Sequence, residues 1–170
     1  MRTNRFHFLP ASPGRHRAWC GIALIGLVFL NACNIGARAV SLFGGNLNVR
    51  VKIAPNANQN HPFAVDLLIV NDSKLLEDLM KLPAREWFKR REQFKRDYPK
   101  RTGFESYEWE WTPGQKIPDL VLPLRVKARA GIVFASYRTE GEHRARFDPL
   151  KNILIEFNEE DFQVTVTQGT

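Results

Sequence analysis

Few side chains in this 170-residue chain are of types that carry out chemistry, and their spacing limits what they could do. His61 and His143 are the histidines beyond the leading segment, and no H-E-x-x-H pair, glycine-rich phosphate loop or G-x-S-x-G elbow accompanies them. Glu105, Glu108 and Glu110 are residues of the type that work in pairs as general acid and base. Strand alternation, however, puts Glu108 and Glu110 together on one solvent face, where carboxylates serve solubility. Glu159-Glu160-Asp161 would suit a calcium loop only if other loops supplied most of the roughly six to eight oxygens a hard cation takes, so it reads as an acidic hairpin turn. Cys20 and Cys33 are too few for a disulfide framework or a four-cysteine zinc site. The chain therefore reads as a protein that is not an enzyme, with no cofactor and no metal.

The one side chain with a chemical role written around it is Cys33. Residues 1–19 are basic and polar, and Cys20 to Leu30 is an uncharged apolar run of 11 residues, about 17 Å as a helix. A bilayer core takes roughly 20 residues, so the run is too short to span and suits the hydrophobic region of a signal peptide. Leu30-Asn31-Ala32-Cys33 follows at once and resembles the lipobox of bacterial lipoproteins. There the thiol takes a diacylglyceryl group, and cleavage frees the cysteine amine for another acyl chain. Residues 1–32 are thus expected to be a lipoprotein signal peptide, and residues 33–45 an acylated cysteine with its tether. Asn34 stands at the position after the cysteine, where an Asp would favour inner-membrane retention, so the expected destination is the outer membrane, facing the periplasm. Several acyl chains, at about 0.8 kcal/mol for each buried CH₂, anchor stably where one would not.

Charge agrees with that division. The net charge of +7 includes four arginines and no acid in residues 1–32; beyond them, 21 basic side chains face 18 acidic ones, a balance of +3. Nucleic acid is not an expected partner.

The elements that must position everything else are mostly strands. Leu47, Val49, Val51 and Ile53 alternate with polar residues, and Phe63–Val70 is an apolar run suited to a strand covered on both faces. Between them, Ala54–Pro62 is a polar loop expected to add little to folding. Asn71 or Asp72 can cap a helix through Leu75, Leu76, Leu79 and Met80, and Pro83 suits the first turn of another that Pro99 stops. Lys89, Arg90, Arg91, Lys95 and Arg96 make that second helix cationic. It reads as a solvated face balanced by Glu86, Glu92 and Asp97, with lipid phosphates as the other candidate partner. From Phe104 the chain returns to strands: Phe104–Trp111, with Tyr107, Trp109 and Trp111 on a core face, Leu120–Ala128, Gly131–Arg138, His143–Phe147, Asn152–Phe157 and Phe162–Thr167. Thr112–Gln115 reads as a turn. The expected fold is mainly β: a two-sheet antiparallel β-sandwich over residues 46–170, with a short helical insertion at about 72–98.

The order of these features resembles one family. A lipobox, Ile53-Ala54-Pro55-Asn56-Ala57-Asn58, then Ala64–Val70, Thr112-Pro113-Gly114-Gln115 and Gly131–Arg138 are similar to the TssJ (SciN) lipoproteins of type VI secretion systems. The helical insertion is more basic than that pattern, and Asn56 stands where the family usually has an acid. The resemblance implies a transthyretin-like sandwich, held in the outer membrane by lipid, that docks the periplasmic domain of the large inner-membrane protein TssM and so helps assemble the secretion channel. It also implies that Pro55, Asn56, Ala57, Asn58, Gln59, Asn60, His61 and Pro62 make the partner contact. The competing reading is a small periplasmic ligand-binding or inhibitor lipoprotein, with Trp109 and Trp111 against the ligand.

Overall fold

A computed structural model of the chain describes residues 45–167 apart from Arg101 and Val126. The expected signal peptide, Cys33 and nearly all of the expected tether lie outside the described residues.

The elements are β1 (Gly45–Ile53), β2 (Phe63–Val70), α1 (Ser73–Leu79), α2 (Ala84–Asp97), β3 (Phe104–Trp111), β4 (Leu120–Leu124), β5 (Ala130–Ala135), β6 (Arg144–Phe147), β7 (Ile153–Phe157) and β8 (Phe162–Val166). They form two four-stranded sheets, ordered β4-β1-β7-β8 and β3-β2-β5-β6. Period-two patterning sets which side chains meet between them. Leu47, Val49 and Val51 of β1, with Leu122, Leu124, Ile153, Ile155 and Phe157, face Val65, Leu67 and Ile69 of β2 in the main core.

Every pairing is antiparallel except one. The second half of β1 runs parallel to β7, with Val49 opposite Ile153, while its first half pairs with β4, Gly45 opposite Leu124. Pro123, already a mark against a long central strand, lies in the short edge strand β4. The chain turns after Leu124, where Ala128 N donates to Arg125 O, so the strand expected to reach Ala128 stops earlier. Likewise β5 stops at Ala135, and residues 136–143 form a loop instead of extending the strand to Arg138.

β2 is covered on both faces, as its unbroken apolar run requires. Its second face carries α1 and α2: Leu68, Val70, Ile132 and Phe134 pack under Leu75, Leu79, Trp87 and Phe94. Asp72 is the residue that caps α1, accepting a hydrogen bond from Leu75 N at 2.7 Å. Asp66 sits on this covered face with no exposure and fixes α2 in place. Trp87 Nε1 donates to it at 2.8 Å and Arg91 donates at 3.2 Å, while the Trp87 ring stacks on Phe134. Burial pushes the Asp66 carboxyl above its usual range, opposed by Trp87 and Arg91.

Candidate interaction surface

Four connections meet at one end of the sandwich: residues 54–62, 112–119, 136–143 and 158–161. Ala54 N donates to Phe157 O and extends the parallel ladder by one bond; Gly114 N donates to Ala54 O. Gly114 has φ of 70°, the left-handed geometry that glycine adopts at least cost, as the Thr112–Gln115 turn needs.

The β1–β2 connection then makes a single tight turn. Asn58, Gln59 and Asn60 have φ of 48°, 54° and 62°, three consecutive non-glycine residues in the left-handed region. Such a run persists only where its surroundings over-determine it. Here they do. Asn58 N donates to Asn158 O and Gln59 N to Glu159 O, which tie the turn to the β7–β8 hairpin. The Asn58 side chain is buried, with 1% exposure. Its amide donates to His61 O and Pro62 O, and its oxygen accepts from Arg138 N at 2.7 Å. Asn56 Nδ2 donates to Glu159 Oε2 at 2.9 Å, and Ala57 is fully buried in the main core.

This corrects the expectation that the loop adds little to folding. Of the eight residues from Pro55 to Pro62, Ala57 and Asn58 point inward, while Pro55, Asn56, Gln59, Asn60, His61 and Pro62 are exposed. The exposed ridge offers amides, an imidazole and prolines on a backbone fixed from below. An Asn-rich run is the sequence signal for that strain, because Asn tolerates left-handed geometry better than other side chains.

The neighbouring loops are equally fixed. His143, also left-handed with φ of 42°, is buried, and its Nδ1 lies 2.9 Å from Asp161 Oδ1. Its Nε2 lies 2.9 Å from Thr139 O, and its ring stacks on Tyr137. Tyr137 donates to Asn158 O, and burial with the nearby Asp161 carboxylate pushes its hydroxyl pKa well above the phenol range. Both ring nitrogens of His143 are committed, Nδ1 to the 158–161 connection and Nε2 within its own loop. A half-open groove of about 380 Å³ lies beside this cluster, between the start of α2 and the 136–143 loop, lined by Ala84, Phe88, Tyr137 and His143. Among the described residues, no three His, Cys, Asp or Glu side chains converge as metal ligands.

The other candidates take structural places. Trp111 is buried and meets Phe157 edge-on; Trp109 and Tyr107 are half-buried in a stack beside it, closing the gap between the sheets along β3. Lys89 pairs with Glu86, Arg91 with Asp66, and Lys95 with Glu92 and Glu108, so much of the positive charge of α2 is compensated. Glu108 is accordingly part of the α2–β3 contact and not a free solubilising carboxylate. Glu105 pairs with Arg125.

No protein-family model matches the sequence, and no curated protein matches it. Solved structures match by fold. The T6SS lipoprotein TssJ1 from Pseudomonas aeruginosa aligns with a TM-score of 0.60 over 75% of this chain and 99% of that one, at 14% identity. The Serratia marcescens Lip, described as a membrane-bound component of the Type VI Secretion System, aligns with a TM-score of 0.54 at 15% identity, covering 74% of this chain and 99% of that one. A chain in a structure described as the T6SS protein TssM C-terminal domain from EAEC aligns with a TM-score of 0.51 at 13% identity, covering 73% of this chain and 98% of that one. The chain has the fold of the TssJ1 and Lip lipoproteins.

Proposed function

We propose that the chain is a TssJ-type outer-membrane lipoprotein, acylated at Cys33 and exposed to the periplasm, that helps build the membrane complex of a type VI secretion system. In this reading the Pro55–Pro62 ridge docks the periplasmic domain of a TssM-like inner-membrane protein. The observation that carries the reading is a sandwich matching nearly the full length of TssJ1, with a strained, pre-ordered polar ridge at its tip. A fixed backbone lowers the entropy lost on docking, and loops on a rigid scaffold are where recognition commonly resides.

The test leaves the inward-facing Ala57 and Asn58 untouched. Replacing Gln59 and His61 together by Ala, with the left-handed Asn60 kept, is expected to change stability by about 1 kcal/mol or less. The same change should weaken binding to the TssM-like periplasmic domain at least about tenfold, since a hydrogen bond lost at a desolvated interface costs about 1–3 kcal/mol. Calorimetric titration returning unchanged affinity would move the interface off this ridge. The anchor has its own check: palmitate fed to cells should label the wild-type protein, and Cys33→Ser should be unlabelled.

A further inference from the structure

The two ends of the sandwich carry opposite charge. Residues 71–74, 98–103, 125–129 and 148–152 gather at the end where β1 begins, because Gly45 pairs with Leu124, Arg129 N donates to Val70 O, and Asn71 bonds to the backbone of Lys100 and Gly103. Among the described residues these segments hold the exposed cations Lys74, Lys100, Arg125, Lys127, Arg129 and Lys151 against two acids, Asp72 and Asp148. Arg125 is paired with Glu105 of β3, and the Asp72 carboxylate is occupied in capping α1. The four connections at the ridge end hold Lys116 and Arg138 against six acids: Asp119, Glu140, Glu142, Glu159, Glu160 and Asp161. The nine residues of β1 separate the two ends by about 30 Å.

We propose that the basic end is a docking surface for an anionic phospholipid leaflet, which stands the domain on the membrane with its ridge pointing away. The inference rests on the anchor reading above and adds an orientation to it. Two features select a bilayer as the occupant. The cations lie at the end of the sandwich where β1 begins at Gly45, the described residue nearest in sequence to Cys33. Twelve residue steps separate Cys33 from Gly45, a reach of at most about 40 Å, whereas charge attraction at physiological salt acts over only about 8 Å. A reach of that size does not by itself set the tilt; the charges choose one. Cations near an anionic surface are attracted individually, and the acids at the far end are repelled, so both ends favour the same pose.

The experiment uses the mature acylated protein reconstituted into vesicles, with a fluorophore on Lys127→Cys or on Glu160→Cys, and a quencher attached to lipid headgroups. On phosphatidylcholine vesicles containing about 30% phosphatidylglycerol, quenching at position 127 should exceed that at 160 by about threefold or more. The difference should vanish on pure phosphatidylcholine, or in about 1 M NaCl, where the screening length falls to about 3 Å. A triple Lys100→Glu, Arg129→Glu, Lys151→Glu variant should lose it as well. Because the lipid and salt comparisons use one protein, the result does not depend on that variant folding. Protein that floats with the vesicles but quenches equally at both positions, or independently of lipid charge, overturns the docking and leaves the anchor standing. Protein that fails to float overturns both.

Discussion

Asp66 is a carboxylate placed where water cannot reach it, and the cost of that placement depends on pH. Its folded pKa lies above the ordinary 3.8 because burial outweighs the help it receives from Trp87 and Arg91. Between those two values the folded state holds more protons than the unfolded one, so stability falls as pH rises through the window. Asp66→Asn keeps an acceptor for Trp87 Nε1 and removes the titration. The stability of wild type relative to Asp66→Asn should therefore be greatest near pH 4 and decline toward neutrality. Denaturant melts of both proteins from pH 4 to 7 check this; a difference that grows with pH would contradict the assignment. Lys95 is held above its usual pKa despite its desolvation, because the hydrogen bonds to Glu108 and Glu92 outweigh that penalty, so α2 keeps this ionic tie to β3, beside that of Arg91 to β2, across the same range.

At the scale of elements, the β1–β2 connection behaves as part of the core. Replacing Asn56–Asn60 with a Gly/Ser linker of equal length removes the fully buried Ala57 and the three Asn58 side-chain bonds, which leaves Arg138 N without its acceptor. Glycine relieves the left-handed strain but supplies none of those partners. The replacement should cost about 2–4 kcal/mol in a denaturant melt, and an unchanged midpoint would show that the turn is not held as described. Alternation made β1, β3 and β8 readable in the sequence, an unbroken apolar run did so for β2, and the Asp72 and Pro83 signals placed both helices. The inward course of Ala57–Asn58 was not readable, because its cause is a set of backbone bonds to Asn158 and Glu159, a hundred residues away. The same holds for the cations of α2. Their local partners Glu86 and Glu92 were visible in the sequence, whereas Asp66 and Glu108 come from strands that only the fold brings near. Neither the parallel β1–β7 pair nor the charge division between the ends can be read from composition, since both depend on which connections share an end.

For the whole molecule, the position of β1 matters beyond its packing. It is the first of the described strands, yet it lies inside its sheet, and its contacts to β7, such as Lys52 with Glu156, span 104 residues. Closing a loop of that length costs about 4 kcal/mol of chain entropy before any contact repays it, which places the β1–β7 ladder late in folding. Val51→Ala should then speed unfolding and leave the refolding rate nearly unchanged in stopped-flow measurements; slowed refolding would place the ladder in the nucleus instead. A chain made from its N-terminus delivers β1 before the other described strands, and β7 only after β2 to β6. Synthesis would have to be almost complete before the second half of β1 finds its parallel partner. Late closure thus leaves the β7 edge of β1 waiting for a partner until Ile153–Phe157 arrives.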